Sequence, residues 1–253
     1  MKSNRMFLCV ALIAAFTAVA CGGGSDAPPA EAPEPAEPVA SGPTGSVAGV
    51  VTYVNGDPDA EISMDADPAC VSMHSEPVHT EKVVATDGNL ANVVVYVKDG
   101  VSGSYPPPSE SALLDQVGCQ YRPHVQAVQV GQTVVIRNSD ETLHNVHALP
   151  SVNAEFNNGQ PFQGMELEHS FDAVEVPVPL KCDVHPWMAS YIAVLDHPFF
   201  AVTGTDGSFS IDGLPAGDYV LEAWHEELGT REMSVSVAAD AAAAASFDFS
   251  PAG

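Results

Sequence analysis

Basic residues are scarce in this chain of 253 residues. Only 8 lysines and arginines stand against 33 aspartates and glutamates, which gives a formal net charge of −25 at pH 7. Two of the eight, Lys2 and Arg5, lie in the first 21 residues, which hold no acidic residue, so the rest of the chain carries −27. A surface of this charge cannot neutralise phosphates, and we expect no nucleic-acid partner.

The chain also lacks an apolar run of membrane-spanning length near its start. The uncharged stretch from Met6 to Ala20 has 15 residues and follows Lys2 and Arg5, which is the pattern of a secretory signal. It ends in Val-Ala-Cys-Gly and resembles a bacterial lipoprotein signal peptide (residues 1–21) with Cys21 as the lipidated residue. An ordinary secretory signal is the alternative. Both predict export, and the first predicts a lipid anchor on the cell envelope, in the periplasm or on the outer surface.

Cysteines are few as well. Of the five, Cys9 lies within the signal and Cys21 at its end, which leaves Cys70, Cys119 and Cys182 in the exported chain. In an oxidising compartment the simplest partition is a Cys70–Cys119 disulfide, with Cys182 as a free thiol that binds metal.

Helical periodicity is missing before about residue 238, and short segments rich in β-branched residues take its place. Such segments occur at 47–54, 90–97, 171–180 and 191–195, bounded by glycine, proline or aspartate. Residues 128–136 alternate about Gly131, as a half-buried hairpin does. Many short strands with turn signals predict an all-β chain built as a sandwich.

Composition divides the rest of the chain. Residues 22–45 are mainly Gly, Pro, Ala and Glu, which predicts a disordered linker. Residues 46–198 follow as the main domain, and 199–253 as a second β unit. Residues 205–221 carry the D-G-x-F and L-P-x-G-x-Y signatures and resemble a small transthyretin-like, carboxypeptidase regulatory-like β-sandwich. The strand after residue 46 resembles the first strand of that family and can belong to either unit, and the alanine run after Asp240 is a helical turn or a linker.

The most informative motif is Cys-Asp-Val-His-Pro-Trp-Met, which runs from Cys182 to Met188 and spaces a thiol, an imidazole and a thioether three residues apart. His144 lies upstream in the sequence His-Asn-Val-His. Two imidazoles, one thiolate and one weak thioether are the ligand set of a blue-copper electron-transfer site. Soft sulfur ligands suit copper(I) and imidazole suits copper(II), so we expect His144, Cys182, His185 and Met188 to bind one type 1 copper.

From residue 125 to residue 195 the chain resembles a cupredoxin, most of all the amicyanin and pseudoazurin branch. The matching pieces are V-G-Q-T-V, N-S-D followed by H-N-V-H, and the short C-x-x-H-x-x-M loop. The resemblance implies a Greek-key β-sandwich over 46–198. It also implies that His144, Cys182 and His185 are the trigonal ligands and Met188 the axial one.

The same resemblance assigns roles to residues around the ligands. Asn145 is expected to hydrogen-bond across to the ligand loop, Pro186 to remove a backbone donor near the sulfur, and Trp187 to shield the metal from water. The ring edge of His185 is expected to be the route for electrons.

The remaining histidines have no firm role. The possible members of a second metal site are His74, His79, His124, His147, His197 and His225. The first three are also compatible with surface positions beside the disulfide. On a strand, His147 would face away from His144 and is interpreted as structural.

The predicted function is a lipid-anchored carrier of single electrons, with a redox protein as partner, for example a basic c-type cytochrome. Two alternatives remain open: a non-redox envelope module that binds carbohydrate or protein around a structural copper, and a protein that stores or delivers copper. No paired catalytic carboxylates or nucleophile–base motif stands out, so we expect no enzyme activity.

Overall fold

A computed structural model describes residues 42–54 and 60–250. The predicted signal peptide, Cys21 and the linker up to residue 41 lie outside this range. Within it the chain is nearly all β, which confirms the predicted fold class. No helix of this range is long and apolar enough to cross a membrane.

The single short helix of the described range is α1 (Pro68–Ser72). The strands are, in chain order, β1 (Thr44–Thr52), β2 (Ala85–Thr86), β3 (Asn89–Leu90), β4 (Val94–Asp99), β5 (Ala112–Val117), β6 (Gln120–Arg122), β7 (Val125–Gln129), β8 (Val134–Asn138), β9 (His144–Ala148), β10 (Phe156–Gln160), β11 (Glu166–His169), β12 (Glu175–Lys181), β13 (Ala189–Leu195), β14 (Phe200–Val202), β15 (Ser208–Pro215), β16 (Gly217–His225), β17 (Gly229–Val237), β18 (Ala242–Ala244) and β19 (Phe247–Asp248).

The strands form four sheets. Sheet I has the order β15-β1-β3-β2, with β18 and β19 also paired to β1. Sheet II has the order β14-β4-β16-β17, sheet III β10-β9-β12-β13-β7, and sheet IV β11-β8-β5-β6. Sheets I and II therefore take strands from both sides of residue 199.

Three apolar clusters hold the sheets together as layers. One lies between sheets I and II, and a second lies between sheets III and IV and includes Cys182 and Met188. The third joins sheet II to sheet III through Val94, Tyr96 and Trp224. Alternate residues of β4 thus face different clusters, so the part of this strand from Val94 to Val97 is buried on both faces and continuously apolar.

Two local predictions differ from the structure, and one alternative left open by the sequence is answered. The alternation over 128–136 is not a hairpin, because β7 joins sheet III and β8 joins sheet IV. The alanine run after Asp240 is neither a helical turn nor a linker but strand β18, which runs parallel to β1. The first strand, which the sequence could place in either unit, pairs antiparallel with β15.

The helix α1 was not predicted, although its start follows a known pattern. Asp67 is the N-cap and accepts the backbone N–H of Ala69 at 2.8 Å, and Pro68 follows at the first helical position. The helix brings Cys70 into the core between sheets III and IV, where it meets the predicted ligand loop.

Candidate metal centre

The ligand loop joins two neighbouring strands of sheet III. It leaves β12 after Lys181 and enters β13 at Ala189, and these two residues face each other in the strand register. The backbone N–H of Cys182 donates to the carbonyl of Met188 at 3.2 Å. The N–H of Met188 donates in turn to the carbonyl of His185 at 2.9 Å. The loop is therefore closed by its own backbone.

The structure brings the predicted ligands to one buried place. The Nδ1 atoms of His144, on β9, and His185 lie 3.0 Å apart. The sulfur of Cys182 lies 3.9 Å from Nδ1 of His185, and ligand atoms of these three residues all lie within 4.8 Å of one another. Met188 packs in the same core cluster, and at most 2% of any of the four residues is exposed.

These distances suit a single metal ion. Metal–nitrogen bonds of about 2.0 Å and metal–sulfur bonds of about 2.3 Å, the lengths typical of Zn²⁺, set trigonal ligand atoms roughly 3.5–3.7 Å apart. The observed separations of 3.0 and 3.9 Å lie on either side of that range. A thiolate with two imidazoles is also a donor set that suits copper. The residues therefore fit the metal that the sequence predicts.

The outer nitrogens of both rings are held by carboxylates. Nε2 of His144 lies 2.9 Å from Oδ2 of Asp140, and Nε2 of His185 lies 2.9 Å from Oδ2 of Asp67. An ionised carboxylate only accepts hydrogen bonds, so each Nε2 carries the proton. Both Nδ1 atoms are then left as potential ligands, 3.0 Å from each other, and that of His185 lies 3.9 Å from the Cys182 sulfur. Such outer partners commonly fix the orientation of metal-binding histidines.

Asn145 connects the strand of the first ligand to the ligand loop. Its Oδ1 accepts the backbone N–H of Asp183 at 2.7 Å and the Cys182 thiol at 3.2 Å. Its own backbone carbonyl accepts the hydroxyl of the buried Tyr121 at 2.6 Å. The residue thus makes the cross-link that the resemblance implied.

The Cys182 thiol and the His144 imidazole influence each other. Burial opposes ionisation of the thiol, but the contact with His144 and hydrogen bonds from nearby backbone N–H groups outweigh it and lower the pKa of Cys182. Burial likewise opposes the charge on His144, but Asp140 and the thiolate raise the pKa of His144 above its ordinary value. Metal binding would displace a proton from this pair, as thiolate sites generally require.

A disulfide adjoins the centre. Cys70 and Cys119 are bonded, with an S–S distance of 1.99 Å, and both are fully buried. Sγ of Cys70 lies 3.6 Å from Nε2 of His185. The carbonyl of Cys119 accepts the indole N–H of Trp187 at 3.0 Å, and the indole ring lies 5.1 Å from the His185 ring. Pro186 is exposed beside it.

This environment bears on one prediction about His185. Its ring edge is expected to be the route for electrons, yet only 1% of the residue is exposed. The reason is that Asp67 and Cys70, delivered by α1, cover the outer nitrogen.

The other histidines have separate partners. Two of them contact backbone carbonyls through Nε2: His74 that of Gly118 and His197 that of Val97. Two contact carboxylates: His124 contacts Glu226, and His147 lies between Asp183 and Glu155. His225 accepts two backbone N–H groups, and His79 lies in a β-bridge with Glu61. Across residues 42–54 and 60–250, none of the six belongs to a cluster able to hold a metal.

Sequence reasoning found no sign of Asp67 and no role for Asp140. Asp140 is the last residue of the N-S-D piece, but its place four residues before His144 carries no special meaning in a loop. Asp67 is 118 residues from His185, and its only local signal is the Asp-Pro pair that starts α1.

Comparison with solved structures gives partial similarity to copper proteins. A copper(I) form of an amicyanin mutant is 23% identical, with 33% of this chain and 81% of that chain covered and a TM-score of 0.30. A purple cupredoxin from Nitrosopumilus maritimus is 24% identical over 33% of this chain and 99% of its own, with a TM-score of 0.29. A copper-containing nitrite reductase from Thermus scotoductus is 22% identical over 39% and 25%, also with a TM-score of 0.29. No protein-family model and no curated protein matches the chain.

Proposed function

We propose that this chain is an exported, lipid-anchored type 1 copper protein that carries single electrons between redox partners. The observation that carries the proposal is the convergence of Nδ1 of His144, Nδ1 of His185 and Sγ of Cys182 in one buried place. A copper ion held there would accept and release one electron, because the donor set suits both of its oxidation states.

In this proposal the protein's own residues hold the metal ligands in place and keep water away from them. The closed loop keeps Cys182, His185 and Met188 in fixed relation, and burial keeps water from the ligands. A site that is already arranged before metal binds needs little movement when the charge of the ion changes. No residue is proposed to act as a catalytic acid, base or nucleophile.

The proposed exit for electrons is the Trp187 side of the loop. Since the edge of His185 is covered, the half-buried indole beside it is the nearest route to the surface. The chain's charge of −25 favours a basic partner such as a c-type cytochrome. The rate of electron transfer to a basic cytochrome should then fall as ionic strength rises. A rate that does not change with ionic strength would contradict this choice of partner.

The test of the copper site is a visible absorption spectrum of the purified protein after addition of copper(II). A thiolate bound to copper(II) should produce an intense visible band, and Cys182→Ser and His144→Ala should abolish it. His147→Ala is the matched control, since His147 lies on the same strand but contacts Asp183 and Glu155, and it should keep the band.

The axial ligand is tested separately. Met188→Gln should keep the band and shift it, together with the reduction potential, because the axial ligand tunes the copper. An unshifted spectrum would remove Met188 from the ligand set, and the absence of any intense band in the unmodified protein would refute the proposed function.

A further inference from the structure

Each of the two carboxylates that hold the histidine rings is linked to one cysteine of the disulfide. Asp140 accepts a hydrogen bond from the backbone N–H of Cys119, and Asp67 is the N-cap of the helix that carries Cys70. The disulfide therefore joins the supports of both imidazoles.

The first attachment is direct. Oδ2 of Asp140 accepts the N–H of Cys119 at 2.8 Å and faces Nε2 of His144 at 2.9 Å, while Oδ1 accepts the N–H of Gly118 at 2.8 Å. One carboxylate thus ties the turn that contains Cys119 to the first histidine. Because its oxygens are used by three donors, the carboxylate has little freedom to rotate.

The second attachment passes through α1. Oδ1 of Asp67 caps the helix and Oδ2 faces Nε2 of His185. A helix of five residues is not stable by itself, so its position depends on tertiary contacts. Its one fully buried residue is Cys70, which is bonded to Cys119. The disulfide therefore ties α1, and with it Asp67, to the core, and the hydroxyl of Thr142 also donates to Oδ2 of Asp67 at 3.3 Å.

The rings themselves have almost no contact with water. His144, Cys70 and Cys119 are fully buried and His185 is 1% exposed, so a ring that loses its carboxylate leaves a buried N–H without a partner. A ring in that position gains by turning or by moving its proton to Nδ1, and either change removes the ligand atom from the centre.

We propose that the Cys70–Cys119 disulfide, together with Asp67 and Asp140, is a clamp that positions both histidine ligands and retains the metal. Asp67 and Asp140 are positioning residues in this scheme. Reduction by a dithiol would break the S–S bond and give two thiols, while the dithiol is oxidised to its own disulfide. The freed α1 would withdraw Asp67 from His185, and metal would be held less firmly. The inference rests on the proposed function in so far as the metal is copper.

The first experiment uses metal-free protein, so that it is independent of copper. Nitrogen-15 NMR of the histidine side chains should show His144 and His185 protonated on Nε2. In Asp67→Asn the amide oxygen can still cap Ala69, which places the NH₂ group against Nε2 of His185. A donor in that place should move the proton of His185 to Nδ1 and leave His144 unchanged.

The matched control is Glu175→Gln. Glu175 is also a buried carboxylate that accepts backbone N–H groups, from Ser151, Val152 and Asn153, and it contacts none of the ligands. Its loss should leave the tautomers of His144 and His185 as they are.

The second experiment measures the release of copper(I) to excess bathocuproine disulfonate. Loss of partners behind metal ligands typically costs 10–100-fold in metal affinity. We therefore expect release to be at least tenfold faster for Asp67→Asn, for the Cys70→Ser/Cys119→Ser double variant and for protein treated with dithiothreitol. Glu175→Gln should stay within twofold of the unmodified protein.

The outcomes separate the clamp from the proposed function. Unchanged His185 tautomer in Asp67→Asn, or release within twofold after the disulfide is removed, overturns the clamp even if copper binds normally. If copper does not bind, the proposed function fails, and the NMR result alone decides the clamp. If the double serine variant does not fold, Asp67→Asn, which keeps the disulfide, decides it.

Discussion

Replacement of Asn145 by alanine should weaken the link between β9 and the ligand loop. The side chain is 6% exposed, and its Oδ1 accepts the Asp183 N–H at 2.7 Å and the Cys182 thiol at 3.2 Å. Its Nδ2 donates to Oδ1 of Asn157 at 2.8 Å and to Oδ2 of Asp183 at 3.4 Å. Alanine removes all four contacts and leaves one backbone N–H and one thiol without their acceptor.

The expected magnitude follows from the cost of an unsatisfied group. A buried donor that loses its partner costs about 1–3 kcal/mol. The side chain of Asp183 is 40% exposed, so water can reach part of this region and the lower half of the range applies to its N–H. With the loss of the thiol and amide contacts, the free energy of unfolding should fall by about 2–3 kcal/mol.

The assay is urea unfolding of the metal-free protein, followed by far-ultraviolet circular dichroism. Asn158→Ala is the control, because Asn158 lies on the neighbouring strand β10 and is exposed. The copper(II) spectrum of Asn145→Ala should also change, since the sulfur loses a hydrogen bond, and that of the control should not. A fall of less than about 0.5 kcal/mol, or a fall equal to that of Asn158→Ala, would refute the role given to Asn145.

Two further predictions test other parts of the structure. Gly49→Ala should lower the free energy of unfolding in urea by more than about 3 kcal/mol, because the new Cβ would lie 1.4 Å from the backbone oxygen of Ala245. Gly159→Ala, where the new Cβ has open space, should leave the free energy of unfolding unchanged. Equal costs for the two variants would contradict the pairing of β1 with the C-terminal segment. Burial lowers the pKa of His225 from 6.5 to about 4, so the folded protein favours the neutral ring. The stability that this ring contributes is fully present above pH 6.5, and the free energy of unfolding falls by about 3 kcal/mol as the pH drops toward 4. His225→Gln should flatten the pH dependence of unfolding in that window by this amount, and an unchanged slope would mean that His225 is not buried as a neutral ring.

The ligand loop could be predicted from sequence because its information is local. Cys182, His185 and Met188 lie within seven residues, and a loop between paired strands has few ways to arrange them. His144 was identified by its residue type and by the asparagine after it. Residue type and spacing were sufficient to propose these residues as one site because metal ligands must be chemically specific.

The partners behind the ligands could not be predicted in the same way. Asp67 and Asp140 belong to a chain with 33 acidic residues, and their role depends on contacts with Cys119 and α1 that no local pattern encodes. The burial of His185 could not be predicted for the same reason, since the covering segment is more than 100 residues away.

Strand pairing was limited by a different kind of ambiguity. Alternation at period two predicts one buried face for each strand, but it is the same for two strands of a hairpin and for two strands in facing sheets. The Gly131 region permits either connection. The placement of β1 beside β15 is likewise set by the cluster between sheets I and II, which assembles residues from both ends of the described chain.

Charge at the centre would affect the reduction potential of a copper ion bound there. Asp67, Asp140 and the Cys182 thiolate place three negative charges around two imidazoles that are neutral when they bind metal. Copper(II) compensates more of this charge than copper(I), and at about 7 Å one buried carboxylate contributes roughly 2 kcal/mol to that difference. The acidic surface acts in the same direction. We infer that the oxidised state is favoured by the surroundings, so that a copper ion in this centre would be a ready electron donor to a partner of higher potential.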